Sequence, residues 1–238
     1  MIGCDCATCQ SDDPRDRRLR PSIFIEADGT ALLVDCGPDL RIQALTHRIR
    51  RVDAIFFTHG HADHILGLDD VRRFNALQQR AMPCFGDERT IADVRQTFAY
   101  AFEPRTQAGG GLPRIATFTI AGAFCVERLE IVPVPILHGR RPILGLRVGQ
   151  FAYLTDCSGI PEASFALLEG LEVLVIDALR DRPHPTHFTL ADAIAASQRI
   201  GARRTWFTHM CHDLPHAATS ARLPAGMALA YDGLVVDL

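Results

Sequence analysis

No stretch of the 238-residue chain approaches the ~20 consecutive apolar residues of a membrane-spanning helix, and Met1 is followed by nothing resembling a secretory leader. A cytoplasmic protein with no membrane partner is the expectation. A dominant charge is lacking as well: 25 Lys and Arg against 28 Asp and Glu leave −3 at neutral pH, with a pI near 6.3. Polyanions therefore meet no global attraction, a nucleic-acid partner would need a local basic patch, and nucleic acid is not the expected partner. What is present is apolar material, 47% of the chain. That is enough for one large core, and a single domain over residues 1–238 is expected. Without a secretory signal, the eight cysteines read as thiols or metal ligands rather than disulfides.

The densest chemistry is Phe56-Phe57-Thr58-His59-Gly60-His61-Ala62-Asp63-His64. A strand leaving a core points alternate side chains one way, so His59 and His61 can face one cavity while the turn brings round Asp63 and His64. Imidazoles with a carboxylate suit zinc, manganese or iron, and four ligands at once imply a second metal, because one tetrahedral ion seldom needs more than three protein ligands plus water. Cys4-Asp5-Cys6-Ala7-Thr8-Cys9 is the next signal. Three thiolates in six residues make most of a structural zinc site and want a fourth ligand from elsewhere.

Around these motifs the patterning alternates strands with helices. Residues 22–26 and 31–35 form a hairpin about Asp28-Gly29, and Asp39 is expected to cap a helix. A helix is expected over 66–77, a strand over 82–86 and an amphipathic helix over 88–100. Residues 103–113, with Gly109-Gly110-Gly111, read as a long loop, either a lid or simply mobile. Strands over 129–137, 151–155, 174–177 and 205–208 end at His138, Asp156-Cys157, Asp177 and His209. Neighbours at a strand end point opposite ways, so one of Asp156 and Cys157 should reach a metal. His184, between two prolines, is expected to be exposed. Arg18 and Arg20 are either solvated or aimed at a substrate phosphate.

His59-Gly60-His61-Ala62-Asp63-His64 resembles the H-x-H-x-D-H signature of the metallo-β-lactamase-fold hydrolases. The C-x-C-x-x-C of Cys4, Cys6 and Cys9, with His212 three residues past His209, is similar to the pattern of the phosphodiesterases of bacterial phosphonate breakdown, which open phosphoribosyl 1,2-cyclic phosphate. The resemblance implies an α/β fold, an αββα sandwich of two mixed sheets covered by helices. It implies one ion on His59, His61 and His138, another on Asp63, His64 and His209, and Asp156 shared between them. The pair would be Zn²⁺ or Mn²⁺, and a further structural Zn²⁺ would sit in segment 1–20 on Cys4, Cys6, Cys9 and His212. It places Asp35 beside the ligands, gives Asp63 a second role in orienting the nucleophile, and makes His187 a non-ligating general acid with Asp177 behind it. Two cations about 3.5–4 Å apart would activate a bridging water and hold a phosphoryl oxygen. The implied partner is a small phosphodiester, and members of the family often form homodimers. One departure stands out: the family's glycine-rich first strand does not precede Cys4, so either the start codon was assigned late or the sheet lacks an edge strand. Rival readings within the fold are a tRNA 3′-end endonuclease, a lactonase or thioesterase, and a quinone-cofactor biosynthesis protein. A non-catalytic zinc-binding protein is the rival outside it.

Overall fold

The computed structural model describes residues 1–103 and 111–238. Most of the glycine-rich loop, including Gly109 and Gly110, lies outside the described residues. The chain divides into two compact units, Arg20–Ile131 and Met1–Leu19 with Val132–Leu238.

In the first unit, β1 (Ile23–Ala27) and β2 (Thr30–Val34) form the expected hairpin. Asp28 at φ 51° and Gly29 at φ 75° supply the two left-handed residues that a tight two-residue turn demands. Parallel strands β3 (Ala54–Phe56), β4 (Met82–Gly86) and β5 (Ile115–Thr119) extend the sheet in the order β1-β2-β3-β4-β5. β2 and β3 are buried along their whole length, which explains their unbroken apolar sequence. Helix Glu88–Thr97 packs on β4 and β5, buries Ile91 and Val94, and starts at Asp87, whose carboxylate accepts the Thr90 N–H at 2.7 Å.

The helix expected over 66–77 is interrupted. The chain instead makes a helical turn at Ala62–Ile65, a 3₁₀ turn at Leu68–Val71 and a helix at Arg72–Gln78. Gly67 is the cause: a Cβ there would land on the Gly37 carbonyl oxygen and come within 2.8 Å of Leu40 Cβ. That close backbone approach lets Gly67 N–H donate to the Cys36 carbonyl at 2.8 Å, and it bends the chain just past the histidine-rich signature. The short β6 (Phe124–Val126) pairs antiparallel with the first residues of β7 (Leu129–His138).

The rest of β7 belongs to the second unit. There it joins β8 (Arg141–Val148), β9 (Phe151–Leu154), β10 (Val173–Asp177), β11 (Arg204–Thr208) and β12 (Met227–Leu229) in the order β12-β11-β10-β9-β8-β7. β9 to β12 run parallel and the β7-β8-β9 meander antiparallel. Helix Leu190–Ile200 packs on β10. Thr189 and Asp192 close its first turn as a reciprocal capping box, and Gly201 at φ 75° ends it. The class is the expected one: α/β, with two mixed sheets flanked by helices. Among the described residues no helix is long and apolar enough to cross a membrane.

Candidate metal centre and acid site

In the unit Arg20–Ile131 the signature residues follow β3, and Asp35, one residue past β2, orients His64 directly and His59 through Thr58. Asp35 is fully buried and held at φ 59°, a left-handed conformation costing about 1–2 kcal/mol in a non-glycine residue. Its carboxylate accepts the Thr58 N–H at 2.9 Å, the Thr58 hydroxyl at 2.8 Å and His64 Nδ1–H at 2.7 Å. Because the Thr58 hydroxyl proton goes to Asp35, its oxygen accepts Nδ1–H of His59 at 3.1 Å. Both imidazoles are thereby fixed as tautomers that present Nε2 as the lone-pair atom, the arrangement that orients ligating histidines. His59 Nε2 lies 2.9 Å from His61 Nδ1. Two nitrogens on one ion at ~2.1 Å stand about 2.9–3.4 Å apart, so this pair fits a shared metal. Asp63 Oδ2 is 3.7 Å from His64 Nε2.

The second unit presents a row of imidazoles. His138 Nδ1 lies 3.0 Å from the Asp156 carbonyl and 2.8 Å from that of Thr186, so Nδ1 carries the proton and Nε2 the lone pair. Asp156 Oδ1 is 3.0 Å from His209 Nε2, and Asp156 and His209 have φ of 57° and 60°. Asp156, His187 and His209 each offer an atom within 4.8 Å of the others. The His187 ring stacks on His209 with centroids 4.8 Å apart and 16° between planes. Behind it, fully buried Asp177 accepts His187 Nδ1–H at 2.9 Å, with His209 Nδ1 at 3.8 Å from the other oxygen. Burial pushes Asp177 above the usual carboxylate range, and the His187 hydrogen bond pulls it partly back. Cys157 points into the core, where burial pushes its thiol up.

Cys4, Cys6, Cys9 and His212 converge within the same unit, their ligand atoms all within 4.8 Å of one another. The three sulfurs lie 3.3, 3.4 and 3.6 Å from His212 Nδ1. A tetrahedral zinc with Zn–S of ~2.3 Å and Zn–N of ~2.0–2.1 Å sets sulfur and nitrogen about 3.5 Å apart, so the donor set fits a closed structural zinc. A backbone hydrogen bond from Cys9, helped by His212 and the adjacent thiols, brings Cys6 down to about 6.

Three expectations need correction. Arg18 is neither solvated nor aimed at a ligand: its guanidinium donates to the carbonyls of Cys211 at 2.8 Å and Leu214 at 2.6 Å and pairs with Asp16 at 3.3 Å. It clamps the turn that carries His212. Asp39 occupies the N-cap position of helix Leu40–Thr46, but its carboxylate accepts the Arg20 N–H at 2.8 Å instead of capping. His184 is half-buried rather than exposed, its ring 5.0 Å from that of His187. Two supporting groups were not anticipated from sequence, the Thr58 hydroxyl and the Thr186 carbonyl. Only the adjacency of each to a site histidine could have pointed to them.

Residues 30–210 match a family model described as the beta-lactamase superfamily domain. A crystal structure described as a new diphosphatase from the PhnP family is 45% identical, with a TM-score of 0.91, and the match covers 98% of this chain and 89% of that one. A protein of Porphyromonas gingivalis named octanoyltransferase is 35% identical over 236 residues. That match takes in 98% of this chain but 48% of the relative, so the chain spans about half the relative's length. The ribonuclease Z of Methanopyrus kandleri is 40% identical over 239 residues, 83% of this chain and 82% of that protein. With three quarters of its length inside the family model, the chain belongs to the beta-lactamase superfamily.

Proposed function

We propose that the protein is a metal-dependent hydrolase that opens a small, cyclic phosphodiester of the phosphoribosyl 1,2-cyclic phosphate type. The observation that carries this reading is His187, backed at 2.9 Å by buried Asp177 and stacked on His209 beside Asp156. An imidazole so placed can hand a proton to a poor leaving group, as a sugar alkoxide is. The 45% identity to a diphosphatase of the PhnP family supports hydrolysis at phosphorus, and the cyclic diester is this reading's own choice of substrate.

Following the motif order, His59, His61, His138, Asp63, His64, His209 and Asp156 would hold a zinc or manganese pair, and Cys4, Cys6, Cys9 and His212 a structural zinc. When bound, the pair supplies Lewis acidity toward a phosphoryl oxygen and a water of lowered pKa. The chain's own residues do the rest. Asp63 orients the attacking water. His187, whose Nδ1–H is committed to Asp177, delivers the Nε2 proton to the departing oxygen, and the Asp177 carboxylate stabilises the imidazolium while it waits. The reading takes residues 1–238 as one domain, with residues 1–20 as its zinc-binding segment.

A second reading, attack on an acyl carbon, has one observation in its favour: the relative named octanoyltransferase aligns with nearly the whole chain, although that protein is about twice as long. One preparation tests both. Elemental analysis is expected to give about three metals per chain, and about one fewer in Cys6→Ser. The metal-loaded protein should turn over bis(p-nitrophenyl) phosphate, with and without added Mn²⁺, and leave p-nitrophenyl octanoate intact. Metals bound with turnover of the octanoate alone would sink the phosphodiesterase reading.

A further inference from the structure

The segment from Pro183 to Phe188 carries a second imidazole beside the acid, and the fold invests heavily in holding it. Prolines at 183 and 185 fix the backbone on either side of His184, and the residue before a proline is held extended. Arg180 donates to the carbonyls of Arg182 at 3.2 Å and Pro183 at 3.0 Å. Phe188 N–H donates to the Cys157 carbonyl at 2.6 Å, and the Thr186 carbonyl takes the proton of His138 Nδ1 at 2.8 Å. Gly139 lies so close beneath the segment that a Cβ there would meet Thr186 Cγ2 at 3.0 Å. A loop pinned at this many points presents its side chains in one geometry.

His184 itself is fixed as a tautomer. Its Nδ1 lies 3.4 Å from the Thr186 backbone N–H and 3.2 Å from the Thr186 hydroxyl. A backbone N–H can only donate, so Nδ1 accepts and the proton sits on Nε2. Burial, reinforced by neighbouring His187, holds the imidazole below its ordinary range. Within the described residues Nε2–H has no hydrogen-bond partner. The His184 ring lies 5.0 Å from that of His187 at 52°, and His187 in turn stacks on His209, so His184 extends the row of imidazoles past the proton donor.

We infer that His184 is a specificity-determining residue whose Nε2–H binds an oxygen of the leaving sugar next to the oxygen that departs. The inference rests on the phosphodiesterase reading. A neutral imidazole with a committed Nδ1 is no second acid, and it contributes one directed donor. A sugar leaving group has a ring oxygen or hydroxyl adjacent to the scissile oxygen to accept it, whereas an aryl leaving group has none there. His184 therefore discriminates between leaving groups and leaves phosphorus chemistry untouched.

The test compares wild type, His184→Phe and His184→Gln on 2′,3′-cyclic AMP and on bis(p-nitrophenyl) phosphate, with metal content and thermal melting measured for each. Phe keeps the ring and loses the donor; Gln restores an N–H near the Nε2 position. Loss of one directed hydrogen bond is expected to lower kcat/KM of the Phe variant on the cyclic nucleotide on the order of tenfold. Turnover of the aryl ester should stay within about twofold, and Gln should regain most of the loss. Should the Phe variant not fold, His184→Asn, whose amide falls short of the Nε2 position, gives the same contrast against Gln. Equal losses on both substrates would reduce His184 to packing, and unchanged rates on both would show the donor unused. If wild type with metals bound turned over neither diester, the phosphodiesterase reading would fail first and take this inference with it.

Discussion

Two fully buried carboxylates stand behind histidines in this molecule, one in each unit, and they are treated differently. Asp35, just past β2, accepts three hydrogen bonds of 2.7–2.9 Å, from the Thr58 amide, the Thr58 hydroxyl and His64. Asp177, at the end of β10, accepts one, from His187 at 2.9 Å; its other oxygen has no hydrogen-bond partner among the described residues. A carboxylate with its acceptors filled is a rigid fixture that orients what it touches. One left partly unsatisfied in a dry site responds strongly to a positive charge arriving next to it, because low dielectric magnifies the interaction. On the proposed reading, Asp35 holds the ligands still and Asp177 attends a proton that comes and goes. A third buried group, His216, has a ring Nδ1 with no hydrogen-bond partner among the described residues.

Breaking the responsive member should have the largest effect. His187→Ala is expected to lower turnover of dialkyl phosphodiesters by about 10²–10⁴, the usual contribution of a positioned general acid, while metal content stays at the wild-type value. Diesters with nitrophenol leaving groups should lose far less, because they depart without a proton. A Brønsted plot of rate against leaving-group pKa checks this. Parallel lines for wild type and variant would remove His187 from the role of acid.

Breaking the rigid member should show in metal binding before it shows in chemistry. In Asp35→Asn one carboxylate oxygen becomes an NH₂ that must face donors, either the Thr58 amide or the pair formed by the Thr58 hydroxyl and His64 Nδ1–H. The tautomers of His59 and His64 then lose their common anchor. Substitutions of this kind typically cost about 10–100-fold in metal affinity, measurable by competition with a chelator. Asp177→Asn provides the contrast: it should leave metal affinity near wild type and slow turnover. If both variants lost metal equally, the two carboxylates would be doing the same work and the distinction would collapse.

Much of this was legible in the sequence because it is local. The six residues from His59 to His64 carry their own spacing, Cys4 to Cys9 theirs, and the strand ends at His138, Asp156, Asp177 and His209 are marked by apolar runs that stop at a ligand-type residue. His212 was reached through the family resemblance, which sets a histidine three residues past His209, and its Nδ1 lies 3.3–3.6 Å from the three sulfurs. What could not be read depends on backbone meeting backbone. The break at Gly67 follows from its contact with Gly37, thirty residues earlier. Arg18 is consumed by carbonyls nearly two hundred residues away, and nothing in a run of charges distinguishes that from solvation. His184 looked exposed because two prolines flank it; the cradle formed by Arg180, Gly139 and Cys157 is a tertiary fact. The Thr58 hydroxyl was silent because threonine beside a strand end is common.

His216 gives the smallest expected effect and the sharpest control, since it shows what a buried imidazole does when no carboxylate accepts a hydrogen bond from its Nδ1. Its backbone N–H donates to Asp16 at 2.7 Å and its ring meets Tyr231 edge-on at 6.0 Å, but Nδ1 is buried without a partner among the described residues. Burial, and then the nearby Arg15 and Arg18 guanidinium groups, lowers its pKa, with Asp13 and Asp16 opposing. In the unfolded chain the same group titrates near its ordinary value of about 6.5. Above that pH neither state carries the proton and His216 leaves stability unchanged. As pH falls through about 6.5 and toward the lower folded value, the unfolded state binds the proton first, so stability drops. His216→Gln removes the titration. Its melting temperature, relative to wild type, should therefore rise by about 2 °C between pH 7.5 and pH 5.5, whatever the offset at the higher pH. A wild-type carboxylate behind this ring would have reversed the sign, as it does for an imidazole whose protonated form is paired; a gap that shrinks on acidification would mean that Asp16 supplies such a partner after all.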